Sequence, residues 1–154
     1  MAGSAPKIEI DSSGLAVTIL VTSWHAEITD ALLAGAERAL KNSGNDLYTV
    51  VRVPGAFELP LAAKWAAEDQ ADAIIALGVV IQGDTPHFDY VCDAATQGLT
   101  QVQLDYGVPI GFGLLTVDNA QQALDRAGLP ESKEDKGAEA VEAAIHMARL
   151  RHID

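Results

Sequence analysis

Ala73-Ile-Ile-Ala-Leu-Gly-Val-Val-Ile81 carries no polar side chain, and it leads into Gln82-Gly-Asp-Thr-Pro86 and an amphipathic run over 88–104. The stretch is too short for a long helix and apolar at every position, which predicts a strand buried on both faces. Residues 15–22, 47–53 and 108–116 are apolar runs of the same kind, rich in β-branched side chains. Between them the periodicity turns helical. Ile28, Leu32, Ala36 and Leu40 recur every four residues, and comparable patterns cover 57–67, 120–127 and 137–150. The last of these places Glu139 and Glu142 early and Arg149 and Arg151 late, in accord with the helix dipole.

The order β, α, β, α, β, α, β, α, α predicts an α/β fold: a four-stranded parallel sheet with helices on both faces, formed as one domain by residues 15–154. Residues 1–14 read as an N-terminal segment. Its alternating stub at 7–10 is short enough to pair with a neighbouring subunit's sheet edge instead of its own. Loop 129–135, Leu-Pro-Glu-Ser-Lys-Glu-Asp, breaks the helical pattern and is expected to be flexible.

The 154 residues, 49% hydrophobic and 21% charged, suit one soluble domain with a real core. No stretch reaches the roughly 18 apolar residues of a membrane span, and the first residues lack the apolar centre of a signal peptide, so a cytoplasmic location is expected. The net charge of −12, with the 10 basic residues scattered among 22 acidic ones, argues against a nucleic-acid partner. An anionic substrate would be repelled by the global field, and each nearby cation would then matter individually. Cys92 is the lone cysteine, which excludes an intrachain disulfide; on an apolar helical stripe it is expected to be a small buried residue. His25, His146 and His152 show no metal-ligand spacing, and no phosphate-loop or dinucleotide glycine motif is present, so neither a metal nor a cofactor is expected.

In an open parallel sheet ligands bind beyond the carboxyl ends of the strands, and the unusual residues collect there. Ser23-Trp24-His25 follow the first strand, Pro54-Gly55-Ala56-Phe57-Glu58 the second and Gln82 to His87 the third, while Phe112 and Thr116-Val117-Asp118 lie within and after the fourth. Trp24 offers a flat face for stacking on a heteroaromatic ring, or a cap for the edge of the core. Glu58, in a first helical turn, either stabilises that helix or accepts from hydroxyls of a polyol. Thr85 and Pro86 read as N-cap and first residue of a helix, and the same geometry leaves free N–H groups behind Gly83, an anion site by construction. His87 would stand beside such an anion, suited to proton transfer near neutral pH or to a purely structural role. Arg126 could answer a helix C-terminus. Lys136 opens the last helix, where a cation is disfavoured unless a phosphate or an acid such as Asp135 lies near.

Taken together, Trp24 to Thr29, Val53-Pro-Gly-Ala-Phe-Glu-Leu-Pro60, Leu77-Gly-Val-Val-Ile-Gln-Gly-Asp-Thr-Pro-His-Phe-Asp-Tyr90, Pro109-Ile-Gly-Phe-Gly-Leu-Leu-Thr116, and Gln122-Ala-Leu-Asp-Arg-Ala-Gly128 followed by Lys136-Gly137 resemble the motifs of lumazine synthases in order and spacing. The resemblance covers the chain after about residue 12. It implies a flavodoxin-like three-layer sandwich and a transferase of riboflavin biosynthesis that uses two small-molecule substrates and no cofactor. It places Trp24 against the pyrimidine with His25 beside it, Ala56 and Glu58 on the ribityl chain, and the backbone of Val80 and Ile81 on the pyrimidinedione edge. Gly83, Asp84 and Thr85 correspond to the phosphate cradle, and His87 to the proton-transfer residue. Phe112, Arg126 and Lys136 would reach the site from the adjacent subunit of a homopentamer. Some members pack pentamers into shells; loop 129–135, longer than the turn associated with shells, implies a free pentamer.

Two positions depart from that pattern: Gln82 stands where the family usually has a base, and Asp84 where it has glutamate or glutamine. Both place more reliance on Arg126 and Lys136. Two other readings are an archaeal-type riboflavin synthase, against which the Gly-Asp-Thr cradle argues, and a non-catalytic flavin-binding module. The latter lacks the hydroxyl- and glycine-rich loop that flavodoxins carry after their first strand.

Overall fold

The computed structural model describes residues 3–153. Four parallel strands, β1 (Val17–Thr22), β2 (Thr49–Val53), β3 (Ala73–Ile81) and β4 (Ile110–Val117), lie in the order β2-β1-β3-β4. Leu20 of β1 sits opposite both Val51 of β2 and Ala76 of β3, and Val79 of β3 opposite Leu115 of β4. Each strand is followed by a helix: α1 (Ala26–Asn42), α2 (Leu59–Glu68), α3 (His87–Tyr106) and the short α4 (Ala120–Leu124), with α5 (Lys136–Leu150) last. This is the expected three-layer α/β sandwich.

The alternation of side chains along the strands explains the layers. Ile19, Val21, Ile75, Leu77 and Leu115 face one side and are covered by Ile28, Leu32, Ala36 and Leu40 of α1 and by Val141, Ala144 and Ile145 of α5. Leu20, Ile74, Ala76 and Leu114 face the other, under Leu59 and Ala63 of α2 and Ala95 and Leu99 of α3. Small residues set the closeness of the layers. A Cβ at Gly111 would stand 2.1 Å from the Ala140 carbonyl oxygen, and one at Gly137 2.1 Å from that of Leu32.

Several sequence expectations need correction. β3 is buried along nearly its whole length, but β2 is an edge strand whose Thr49 to Arg52 are exposed, because none of the described residues covers its outer side. The stub at 7–10, expected to reach a neighbouring subunit, pairs with no strand of this sheet, and the residues just after it are anchored: Ser12 N–H donates to the Ser43 carbonyl at 2.9 Å, and Arg149 donates to the carbonyls of Asp11 and Ser13 at 2.8 and 2.7 Å. The segment over 57–67 divides into a 3-10 turn, Ala56–Glu58, and α2, with Pro60 in the first turn of α2 where its missing N–H costs nothing. Helix α4 ends at Leu124, short of 127.

Loop 129–135 is stitched to its surroundings instead of hanging free. The Lys133 and Glu134 N–H groups both donate to the Asp125 carbonyl, at 2.8 and 3.0 Å, and Gly128 N–H donates to the Glu134 carbonyl at 3.0 Å. Ser132 Oγ accepts from Leu129 N–H at 2.9 Å. Cys92 is only partly buried, on α3. Burial still raises its thiol pKa, with Asp89 adding to the effect, which disfavours the nucleophilic thiolate. Among the described residues no helix is long and apolar enough to cross a membrane.

Because backbone opposes the new methyl, Gly137→Ala should force α1 and α5 apart and destabilise the protein by about 3 kcal/mol. Urea unfolding at fixed protomer concentration measures this; an unchanged midpoint would mean that the two helices are not in that contact.

Candidate active site

The chain leaves β1 through Ser23, whose Oγ donates to the Val53 carbonyl at 2.9 Å and whose N–H donates to the Pro54 carbonyl at 3.3 Å. This ties the exit of β1 to that of β2. His25 then takes the left-handed conformation, φ 56°, as the N-cap of α1, and its carbonyl accepts from Ile28 and Thr29 N–H at 2.9 and 3.1 Å. Left-handed backbone is unusual for a side chain of this size, and it turns the chain sharply enough to present Trp24 outward. The Trp24 indole is 67% exposed, so it does not cap the core of the chain.

Trp24 and His25 form one wall of a cleft of about 590 Å³ at the carboxyl ends of the strands. Its other walls are Gly55, Ala56, Phe57 and Glu58 after β2, Val79 to Ile81 at the end of β3, and His87 and Val91 at the start of α3. Glu58 accepts the Gly55 N–H on Oε2 at 3.0 Å, which supports its helix-stabilising reading. Oε1 accepts no hydrogen bond among the described residues and stays available. Gly55 was not singled out from the sequence, yet a Cβ there would meet Trp24 Cδ1 and Glu58 Oε2, each at 3.3 Å. Its smallness lets the indole and the carboxylate share one corner.

Between β3 and α3 the loop 82–86 is exposed, and the backbone N–H groups of Gly83, Asp84 and Thr85 meet no protein acceptor among the described residues. Nothing lies within 4 Å of the place a Gly83 Cβ would occupy. α3 begins at His87, one residue later than the capping motif implied; Thr85 Oγ1 still accepts His87 N–H, at a long 3.4 Å. Free donors at the tip of a 20-residue helix are well placed for an anion.

Phe112, Arg126 and Lys136 do not line this cleft. Phe112, 48% exposed, borders a separate hollow of about 570 Å³ with Tyr90, Cys92 and Thr116. Arg126 Nη1 donates to the Gln122 carbonyl at 2.8 Å, so it does answer the end of α4, and its Nε lies 3.5 Å from Glu134 Oε2. Lys136 Nζ contacts Glu134 Oε1 at 3.2 Å and Glu139 Oε2 at 2.6 Å. These acids, not Asp135, remove the conflict of a lysine at a helix start. Asp135 instead caps α5 by accepting from Ala138 N–H at 3.0 Å. Glu139 lies one helical turn from Lys136 and was legible from spacing alone; Glu134 was not, since its approach depends on the loop's path.

Residues 14–152 match the family described as 6,7-dimethyl-8-ribityllumazine synthase. The chain belongs to that family. It is similar to the 6,7-dimethyl-8-ribityllumazine synthase of Kineococcus radiotolerans, 67% identical over 97% of this chain and 93% of the relative. It is likewise similar to that of Clavibacter sepedonicus, 60% identical over 95% and 92%, and to that of Mycolicibacterium paratuberculosis, 57% identical over 90% and 86%. As a lumazine synthase relative, the chain thus presents in one subunit a cleft with an aromatic plate, a free carboxylate oxygen, a histidine and a loop of free N–H groups.

Gly55 has φ −153°, which alanine adopts without strain, so Gly55→Ala isolates the steric effect on that corner. Binding of a pyrimidinedione ligand should weaken by about 1 kcal/mol, roughly fivefold, as read by tryptophan fluorescence quenching. Unaltered affinity would show that Trp24 and Glu58 need not share the corner.

Proposed function

We infer that the protein condenses 5-amino-6-(D-ribitylamino)uracil with 3,4-dihydroxy-2-butanone 4-phosphate, giving 6,7-dimethyl-8-ribityllumazine, phosphate and water. The observation that carries this reading is the single cleft in which Trp24, His25, Ala56, Glu58, Val80, Ile81 and His87 converge, in a chain matching the family over 14–152. The exposed indole stacks on the pyrimidine, the backbone of Val80 and Ile81 reads its edge, and the free Glu58 oxygen with Ala56 receives the ribityl chain. The N–H groups of Gly83, Asp84 and Thr85 hold the phosphate of the second substrate.

The nucleophile is the substrate's own amine. It attacks the ketone, and loss of water gives an imine; phosphate leaves by elimination; the ribityl-bearing nitrogen closes the ring with loss of a second water. His87 carries protons between these atoms. The protein contributes no covalent step and needs no cofactor. Holding two reactants in line can itself be worth roughly 7 to 11 kcal/mol in favourable cases, so positioning outweighs proton transfer here.

The cleft of one subunit holds no side-chain cation, because Arg126 and Lys136 lie elsewhere. In this reading they and Phe112 come from the adjacent subunit of a cytoplasmic homopentamer, and the site is complete only there. Exposed Val50 and Val51 on the open edge of β2 support an interface, and residues 7–10 supply a strand of suitable length to cover a neighbour's edge. Light scattering should report five subunits, not a shell.

Mixing the two substrates with the protein should yield lumazine fluorescence and an equal amount of released phosphate; the absence of both would end this reading. His87→Ala should lower turnover about a hundredfold yet leave measurable activity. Complete loss with intact folding and binding would assign more of the rate to His87 than this mechanism allows. Trp24→Ala should raise the Kd of the pyrimidine about three- to tenfold, as calorimetry would show. An unchanged Kd would remove the stacking role.

A further inference from the structure

One carboxylate joins the two cations that the proposed function brings to the site from the adjacent subunit. Glu134 places Oε2 3.5 Å from Arg126 Nε and Oε1 3.2 Å from Lys136 Nζ, while Glu139 takes a second side of Lys136 at 2.6 Å. Two positive and two negative groups cancel, so a pair that would attract a dianion strongly is presented as a neutral cluster. The backbone fixes this arrangement without help from the ion pairs. Glu134 N–H donates to Asp125 and its carbonyl accepts from Gly128, both at 3.0 Å, and Lys136 N–H donates to the Arg126 carbonyl at 3.0 Å. Glu134 thus meets both cations because the loop delivers it there, and its side chain carries none of the loop's own hydrogen bonds.

We propose that Glu134 is a positioning residue that holds Arg126 and Lys136 together as one phosphate-facing pair and sets their affinity low enough for inorganic phosphate to depart. The proposal rests on the reading that both cations face the sugar phosphate across the subunit boundary. Substrate and leaving group carry the same anionic moiety, so an unopposed guanidinium and ammonium would retain the product as firmly as they capture the substrate. A carboxylate competing for the same donors lowers both affinities. It also keeps the two cations close to each other while no phosphate is bound. The Lys136 ammonium is itself held above the usual lysine range, chiefly by its hydrogen bond to Glu139, against an opposing effect of burial and with Glu134 adding to the rise. It is therefore charged throughout the working pH range, and the carboxylates are what tune its pull.

Glu134→Gln keeps the size and one acceptor while removing the charge, and it leaves every backbone bond of the loop in place. Tested in the assembled enzyme, it should lower both the inhibition constant of inorganic phosphate and the KM of the sugar phosphate roughly two- to fivefold. The KM of the pyrimidine should stay unchanged, and kcat should fall as phosphate release slows. Glu139→Gln, which removes one of the two carboxylates on Lys136 and leaves Arg126 paired, should give a smaller change in the same direction. Chloride at equal ionic strength should not reproduce the inhibition by phosphate. An unchanged or raised phosphate inhibition constant in Glu134→Gln would overturn the proposal. If the unmodified protein makes no lumazine from the two substrates, the functional reading fails instead; if it does, and the variant's phosphate affinity does not rise, only the role of Glu134 fails.

Discussion

β1 has β2 on one side and β3 on the other, and the chain leaves β1 and β3 toward opposite faces of the sheet: α1 packs with α5, and α3 packs with α2. The two departing connections therefore diverge, and a crevice opens between them that no side chain of the core can fill. The candidate cleft depends on that divergence. Trp24 and His25 lie on the connection that turns one way, His87 and the loop 82–86 on the one that turns the other. The Ser23 contacts with Val53 and Pro54 add the exit of β2 as a third wall. The crevice persists because its rim is made of backbone bonds and a close-packed sheet.

Strand β3 could be read from the sequence because burial on both faces leaves only apolar residues acceptable at every position. β2 is likewise rich in valine but carries Thr49 and Arg52 and lies at the edge, and its Val50 and Val51 remain partly exposed in the single chain. Composition reports that a strand will be covered, not by which molecule. The loop 129–135 misled for a related reason. Proline and charge predict an irregular path, which is what forms, but not that the Asp125 carbonyl will receive two N–H groups from it. Of the site, Trp24, Glu58 and His87 were visible as unusual residues at strand ends. His25 and Gly55 stood in the same stretches, but the left-handed turn at His25 and the close contacts at Gly55 were not legible, because a dihedral angle and a distance are things that pattern does not display.

The charge distribution refines the argument from the net −12. Arg38, Arg52, Lys64, Lys133 and Arg149 each face an acid of the same chain, as do Arg126 and Lys136. These pairs are partly solvated and add little to stability. Their consequence is for recognition, since few cations remain unopposed to draw an anion to the surface. What a single subunit offers freely is the neutral N–H groups of Gly83, Asp84 and Thr85 at the tip of α3, which act at hydrogen-bond range only. Such a site selects an anion by fit once it has arrived.

This has an effect on how assembly and chemistry relate in the proposed reaction. In the proposed reading the aromatic and polyol-binding parts of the cleft belong to one chain, and so does the helix tip, whereas charge balance for a phosphate dianion would come from a cluster that sits outside the cleft and is already neutral. An isolated subunit would therefore keep its affinity for a pyrimidine and lose most of its affinity for a sugar phosphate. In that reading a second chain's Arg126 and Lys136, brought to the tip of α3, would transfer the phosphate from water to donors that are already oriented, their carboxylates giving way as the dianion takes their place. Selectivity for the phosphate-bearing substrate would then arise at the boundary between subunits, while recognition of the ring would remain a property of one fold.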